Sequence, residues 1–98
     1  MINIGLYYTV KPGFEREFES RFNEAVLAIK NSGFGCIDAR LYKDVEKQNE
    51  YLLYTEWKDN DGFRNFIKSE AYRKTVEAGR SIIEGVPRHR MFTESKQL

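Results

Sequence analysis

Three sets of residues carry side chains that can do chemistry. Arg88, His89 and Arg90 follow Pro87 in a row, and His89 is the chain's single histidine. On a strand, alternation sends His89 to one face and both arginines to the other. The arginines then make a clamp for a phenolate or carboxylate, while the imidazole, which exchanges protons near neutral pH, makes a proton shuttle. The competing reading is surface charge at the rim of a dimer, where isolated charges contribute little. Trp57, the single tryptophan, closes an apolar run. An indole there most often anchors a core or an interface, but with Tyr7, Tyr8, Tyr54 and Tyr72 it can also stack on a planar substrate. The catalytic candidates are therefore Trp57, Arg88, His89 and Arg90, and the substrate-binding candidates Trp57, Tyr8, Tyr54 and Tyr72. Cys36 stands alone, and one Cys with one His does not make a metal cluster.

Several function classes are excluded by what surrounds these residues. No glycine-rich phosphate loop, Gly-x-Ser-x-Gly elbow or Cys paired in sequence with a His occurs. Sixteen Lys and Arg balance fifteen Asp and Glu, a net charge of +1, so no global field draws the protein to nucleic acid or anionic lipid. The third strand, Tyr51 to Trp57, carries an acid and no base, unlike the basic aromatic motif of RNA-binding sheets. No run approaches the roughly 20 apolar residues of a membrane span, and the N-terminus lacks a basic leader. A lone cysteine suits a reducing compartment, so the expected location is cytoplasmic.

The elements that must position these residues are legible in the hydrophobic period. Ile2, Ile4, Leu6, Tyr8 and Val10 alternate with Asn3, Gly5, Tyr7 and Thr9, as in a strand. Lys11-Pro12-Gly13 stops it. From Phe14 the spacing changes to Phe14, Phe18, Phe22, Ala25, Val26 and Ile29, one side of a helix that ends at Ser32-Gly33. Cys36 to Lys43 and Tyr51 to Trp57 form a hairpin around a polar loop. Asp59 or Asn60 caps a short helix through Phe63, Phe66 and Ile67, and Ser69 caps a second one through Tyr72, Val76, Gly79 and Ile83. Glu84-Gly85-Val86-Pro87 ends that helix, and Arg88 to Glu94 forms the closing strand.

The order is β-α-β-β-α-β, with the second helical region broken near Ser69. A chain of 98 residues has room for one core, so residues 1–98 are expected to form a single domain with a core over about 2–94 and a short C-terminal tail. The split βαβ arrangement is the ferredoxin-like α+β layout: a four-stranded antiparallel sheet with both helices on one face. Tyrosines on the other face are not expected to stay wet, and a homodimer through the sheet is the economical cover.

These residues resemble the antibiotic biosynthesis monooxygenase-like (ABM) domains of the dimeric α+β barrel superfamily. The likeness spans nearly the whole chain and rests on the opening strand with Lys11-Pro12-Gly13, on Phe14, Phe18 and Phe22, on Gly33-Phe34-Gly35, and above all on Tyr54-Thr55-Glu56-Trp57 followed by Phe63, Phe66, Ser69 and Tyr72. The family includes cofactor-independent quinone-forming monooxygenases, haem-degrading monooxygenases and domains without known reaction, so membership implies a fold more firmly than an activity. The resemblance also implies that Trp57 borders the cavity between sheet and helices. The haem-degrading branch uses an Asn in the first strand, a Trp ending the third, and a haem-ligating His in the second helical region. Trp57 matches, whereas Leu6 and Val76 stand near the Asn and His positions, so haem degradation by that design is not expected.

Two functions of different class follow. One is a cofactor-independent monooxygenase, an oxidoreductase acting on a small planar aromatic with neither metal nor flavin, in which Arg88 or Arg90 stabilises an anionic intermediate. The other is a non-catalytic homodimer that binds a small hydrophobic molecule or serves as an interaction module. A cavity of a few hundred cubic ångströms with convergent polar groups favours the first, and a collapsed core the second.

Overall fold

The computed structural model describes residues 1–95. Of the tail expected after residue 94, residues 96–98 lie outside the described residues. The elements are β1 (Ile2–Val10), α1 (Glu15–Lys30), β2 (Cys36–Lys43), β3 (Glu50–Trp57), α2 (Asn60–Ile67), α3 (Glu70–Gly79) and β4 (Ile83–Phe92). All pairings are antiparallel and the strand order is β2-β3-β1-β4.

The register divides the sheet into two chemically different faces. Ile2, Ile4, Leu6 and Tyr8 lie opposite Trp57, Thr55, Leu53 and Tyr51, and these are the positions that the helices cover. Ile4, Val10, Leu53 and Trp57 are wholly buried there with Phe18, Phe22 and Ile29 of α1 and Phe66 of α2. Phe18 and Phe22 stack at 4.2 Å between ring centroids, and Tyr8 meets Phe22 edge-on at 5.0 Å. The period of four in α1 therefore has a cause: it keeps one aromatic stripe against one side of β1.

The helix breaks follow local chemistry. Asp59 accepts from the Gly62 amide at 2.8 Å and starts α2, and Ser69 accepts from the Tyr72 amide at 3.2 Å and starts α3. Gly62 has a second role, because a Cβ there would run into the carbonyl oxygen of Phe34. Only glycine lets the Gly33-Phe34-Gly35 turn seat against α2.

The closing strand begins earlier than the sequence suggests. A helix running to Ile83 and a strand from Arg88 are the expectation; α3 instead ends at Gly79 and β4 starts at Ile83. Tertiary pairing is the reason. The Lys11 amide donates to the Ile82 carbonyl at 2.8 Å, and Ile83 and Glu84 pair with Val10 and Thr9. The ladder then skips: Tyr7 faces Arg88 and Thr9 faces Glu84, so Gly85, Val86 and Pro87 bulge out opposite Tyr8. Gly85 has a φ of 67°, which suits glycine, and Pro87 has no amide to lose from the ladder. What reads as helix-stopping punctuation is a β-bulge inside a strand.

Candidate functional site

A cavity of about 340 Å³ opens between α3 and the β1–β4 half of the sheet. Its apolar walls come from Leu6, Val76, Ile83 and Pro87. The polar groups are few. Tyr8 enters from β1, Tyr72 and Thr75 from α3, and His89 from β4. Tyr72, Thr75, Val76 and Gly79 share a helix face by their spacing of three and four, while Leu6 and His89 are paired neighbours across the strands. The bulge at Gly85-Val86-Pro87 forms the rim.

Tyr8 is the best-defined of these groups. Its ring is held by Phe18 and Phe22, and the residue is 8% exposed. Burial pushes its phenol well above the ordinary tyrosine range, and the nearby Tyr72 phenol adds to the effect. The hydroxyl therefore stays protonated. Among the described residues no protein group hydrogen-bonds it, so a donor is presented to the cavity without an internal partner. Thr75 differs, since its hydroxyl donates back to the Ala71 carbonyl at 3.0 Å. Tyr72 is half-buried, edge-on to Phe66 at 5.6 Å.

The other residues singled out in the sequence lie elsewhere. Trp57 is wholly buried at the far end of β3, where its indole Nε1 donates to Thr55 Oγ1 at 2.8 Å and Thr55 donates to the Ile4 carbonyl at 3.0 Å. Phe66 links it to the cavity at one remove, lying 5.1 Å from the indole and 5.6 Å from the Tyr72 ring. Tyr54 is on the opposite sheet face and accepts from Asn3 Nδ2 at 2.6 Å. Arg88 and Arg90 are on that face too, paired with Tyr7 and Gly5, and the Arg90 guanidinium sits 4.9 Å from the Phe92 ring centre. The structure thus brings Tyr8, Tyr72 and His89 together and separates them from Trp57, Tyr54, Arg88 and Arg90. Sequence reasoning passed over Thr75 and Arg80, although both follow Tyr72 at helical spacing, which was the available signal.

The outer face has its own cleft of about 350 Å³, lined by Tyr7, Tyr42, Leu52, Glu84 and Arg88 among others. Tyr8 and Val86 border both hollows, because the bulge opens the sheet at that point. Among the described residues no group of three or more His, Cys, Asp and Glu could hold a metal ion. No helix there is long and apolar enough to cross a membrane.

Comparison with known proteins adds three findings. A family model described as antibiotic biosynthesis monooxygenase matches residues 1–78. Among solved structures, the cofactor-independent oxygenase SnoaB of Streptomyces nogalater superposes with a TM-score of 0.82 at 26% identity, over 99% of this chain and 95% of that one. Among curated proteins, a Natronomonas pharaonis protein named "putative heme-binding protein" is 30% identical over 86 residues, 88% of this chain. The chain spans only 14% of that relative's length. A staphylobilin-producing heme oxygenase of Staphylococcus saprophyticus is 25% identical over 68 residues, 69% of this chain and 65% of that protein.

Proposed function

The chain belongs to the antibiotic biosynthesis monooxygenase family, and on that premise we propose that the cavity between α3 and β1–β4 binds a small planar aromatic and oxygenates it with O₂, without metal or flavin. The observation that carries this reading is that Tyr8, Tyr72 and His89 line one slot whose apolar walls are Leu6, Val76, Ile83 and Pro87. Likeness to a cofactor-independent oxygenase along almost its full length supports it.

The substrate must then supply the electrons itself. A hydroxyarene meets that demand: with one O₂ it gives a quinone and one water, the arene losing four electrons and O₂ gaining them. His89 accepts the phenolic proton, which makes the ring electron-rich enough to attack oxygen. The Tyr8 hydroxyl, kept protonated by burial, donates to the oxyanion that forms. Trp57 packs behind Phe66 and Tyr72 as core beneath the site and takes no part in the reaction.

Haem is the group that the heme-named relatives bring in, and the donor set here does not fit it. Val76 on α3 stands near the position where that branch carries its ligating His, Leu6 stands near its Asn position, and the only imidazole comes from β4. No step is routed through haem. The Natronomonas relative, named "putative heme-binding protein", extends far beyond the matched part, which is 14% of its length.

The reading includes a homodimer through the outer face, which presents Tyr7, Tyr42, Leu52, Tyr54 and Phe92, and a cytoplasmic setting suited to the single free Cys36. A non-catalytic binding module is the second reading. It is favoured by one observation: His89 is exposed, and among the described residues no side chain hydrogen-bonds it, as a general base usually requires. Oxygen uptake with a panel of hydroquinones and haem separates the two. Uptake with at least one hydroquinone, reduced in His89→Gln and Tyr8→Phe, is expected; tight binding of the panel with no uptake would leave the module.

A further inference from the structure

The cavity wall has a charge bias that the oxygenase reading does not use. Arg80, at the C-terminal end of α3, and His89, on β4, line it from opposite sides, and no carboxylate lines it among the described residues. Glu77, three residues before Arg80, pairs with Arg73 at 2.8 Å, and Glu84 faces the cleft on the other side of the sheet. Arg80 itself makes no ion pair among the described residues, whereas Arg21, Arg40 and Arg73 all do. Arg16, Arg64, Arg88 and Arg90 are likewise unpaired among the described residues, but Arg80 is the arginine that lines this cavity, and its guanidinium is there without a counter-charge.

Resting on the reading of this cavity as an aromatic slot, we infer that its ligand is an aromatic acid, a planar ring system whose carboxylate lies at the Arg80 end of the slot while its phenolic oxygen is left to His89 and Tyr8. The ring fills the space between Leu6, Val76 and Ile83, and the Tyr8 hydroxyl meets an oxygen at the buried end. Arginine is suited to the exposed end because its fork takes both carboxylate oxygens at once.

Calorimetric titration with 2-naphthoate and its neutral isostere 2-naphthamide tests this. The acid is expected to bind about tenfold more tightly, with the preference falling below about threefold in Arg80→Gln and only partly kept in Arg80→Lys, which retains the charge without the fork. Arg80 is exposed, so the melting temperature should not move. Equal binding of the two probes would overturn the inference and leave the slot standing. Binding of neither would overturn both. A preference that survives Arg80→Gln undiminished would also overturn it, since the carboxylate would then sit elsewhere.

Discussion

At the scale of single residues, Tyr8 and Trp57 are aromatic side chains of the same buried layer with opposite consequences. Among the described residues no protein group hydrogen-bonds the Tyr8 hydroxyl, so Tyr8→Phe removes no hydrogen bond that they make. Stability should change by no more than about 0.5 kcal/mol, while ligand affinity or turnover drops roughly tenfold through the lost donor. Urea denaturation beside a binding assay checks both halves, and a variant that unfolds easily yet binds normally would contradict the assignment. Trp57 is the reverse case. Its indole packs against Phe63 and Phe66 and donates to Thr55, which in turn donates to the Ile4 carbonyl. Trp57→Phe should cost on the order of 2 kcal/mol through the cavity it leaves, with activity per folded molecule nearly unchanged. An unaltered melting curve with abolished binding would make Trp57 a wall of the site after all.

Between elements, the tie from α1 to β3 predicts a pH dependence. The Tyr51 hydroxyl donates to Glu19 Oε2 at 2.5 Å, and Lys43 reaches the same carboxylate at 3.4 Å. The Tyr51 bond, more than Lys43, holds the Glu19 carboxyl below the usual range, while burial and the same bond push the Tyr51 phenol up. A lowered carboxyl stabilises the fold above its unfolded pKa, and that contribution is lost as pH falls through the folded value. A raised phenol stabilises below the unfolded tyrosine range and is lost as pH rises beyond it. Tyr51→Phe should therefore cost about 1 kcal/mol at neutral pH, modest because Glu19 is partly solvated. The gap to the parent should narrow below about pH 4. A gap that stays constant down to acid unfolding would remove Glu19 from the account.

For the whole molecule, the outer sheet face is the unresolved surface. Tyr7, Leu52 and Tyr54 are partly exposed there and Tyr42 and Phe92 more so, flanked by Arg40, Arg88 and Arg90. Such a face, apolar at its centre and charged at its edges, matches the anatomy of an interface between copies. Sedimentation should give a dimer at micromolar concentration, and Leu52→Asp should yield a folded monomer. A parent protein that sediments as a clean monomer would end the dimer proposal and leave Arg88 and Arg90 as ordinary surface charge.

Much of the architecture was written in periodicity. Alternation over Ile2–Val10, the period of four through Phe18 and Phe22, and the caps at Asp59 and Ser69 are local signals, because each depends on neighbours a few residues away. The start of β4 was not local: Ile82 and Ile83 could continue a helix until Lys11 and Val10 claimed them. The site divides in the same way. Sequence alone set His89 on the face opposite to Arg88 and Arg90, since strand alternation requires it. Only the tertiary structure decided which of the aromatic residues share a cavity, because that depends on where α3 crosses β1 and β4, and no spacing along the chain measures the distance between Tyr8, Tyr72 and Trp57.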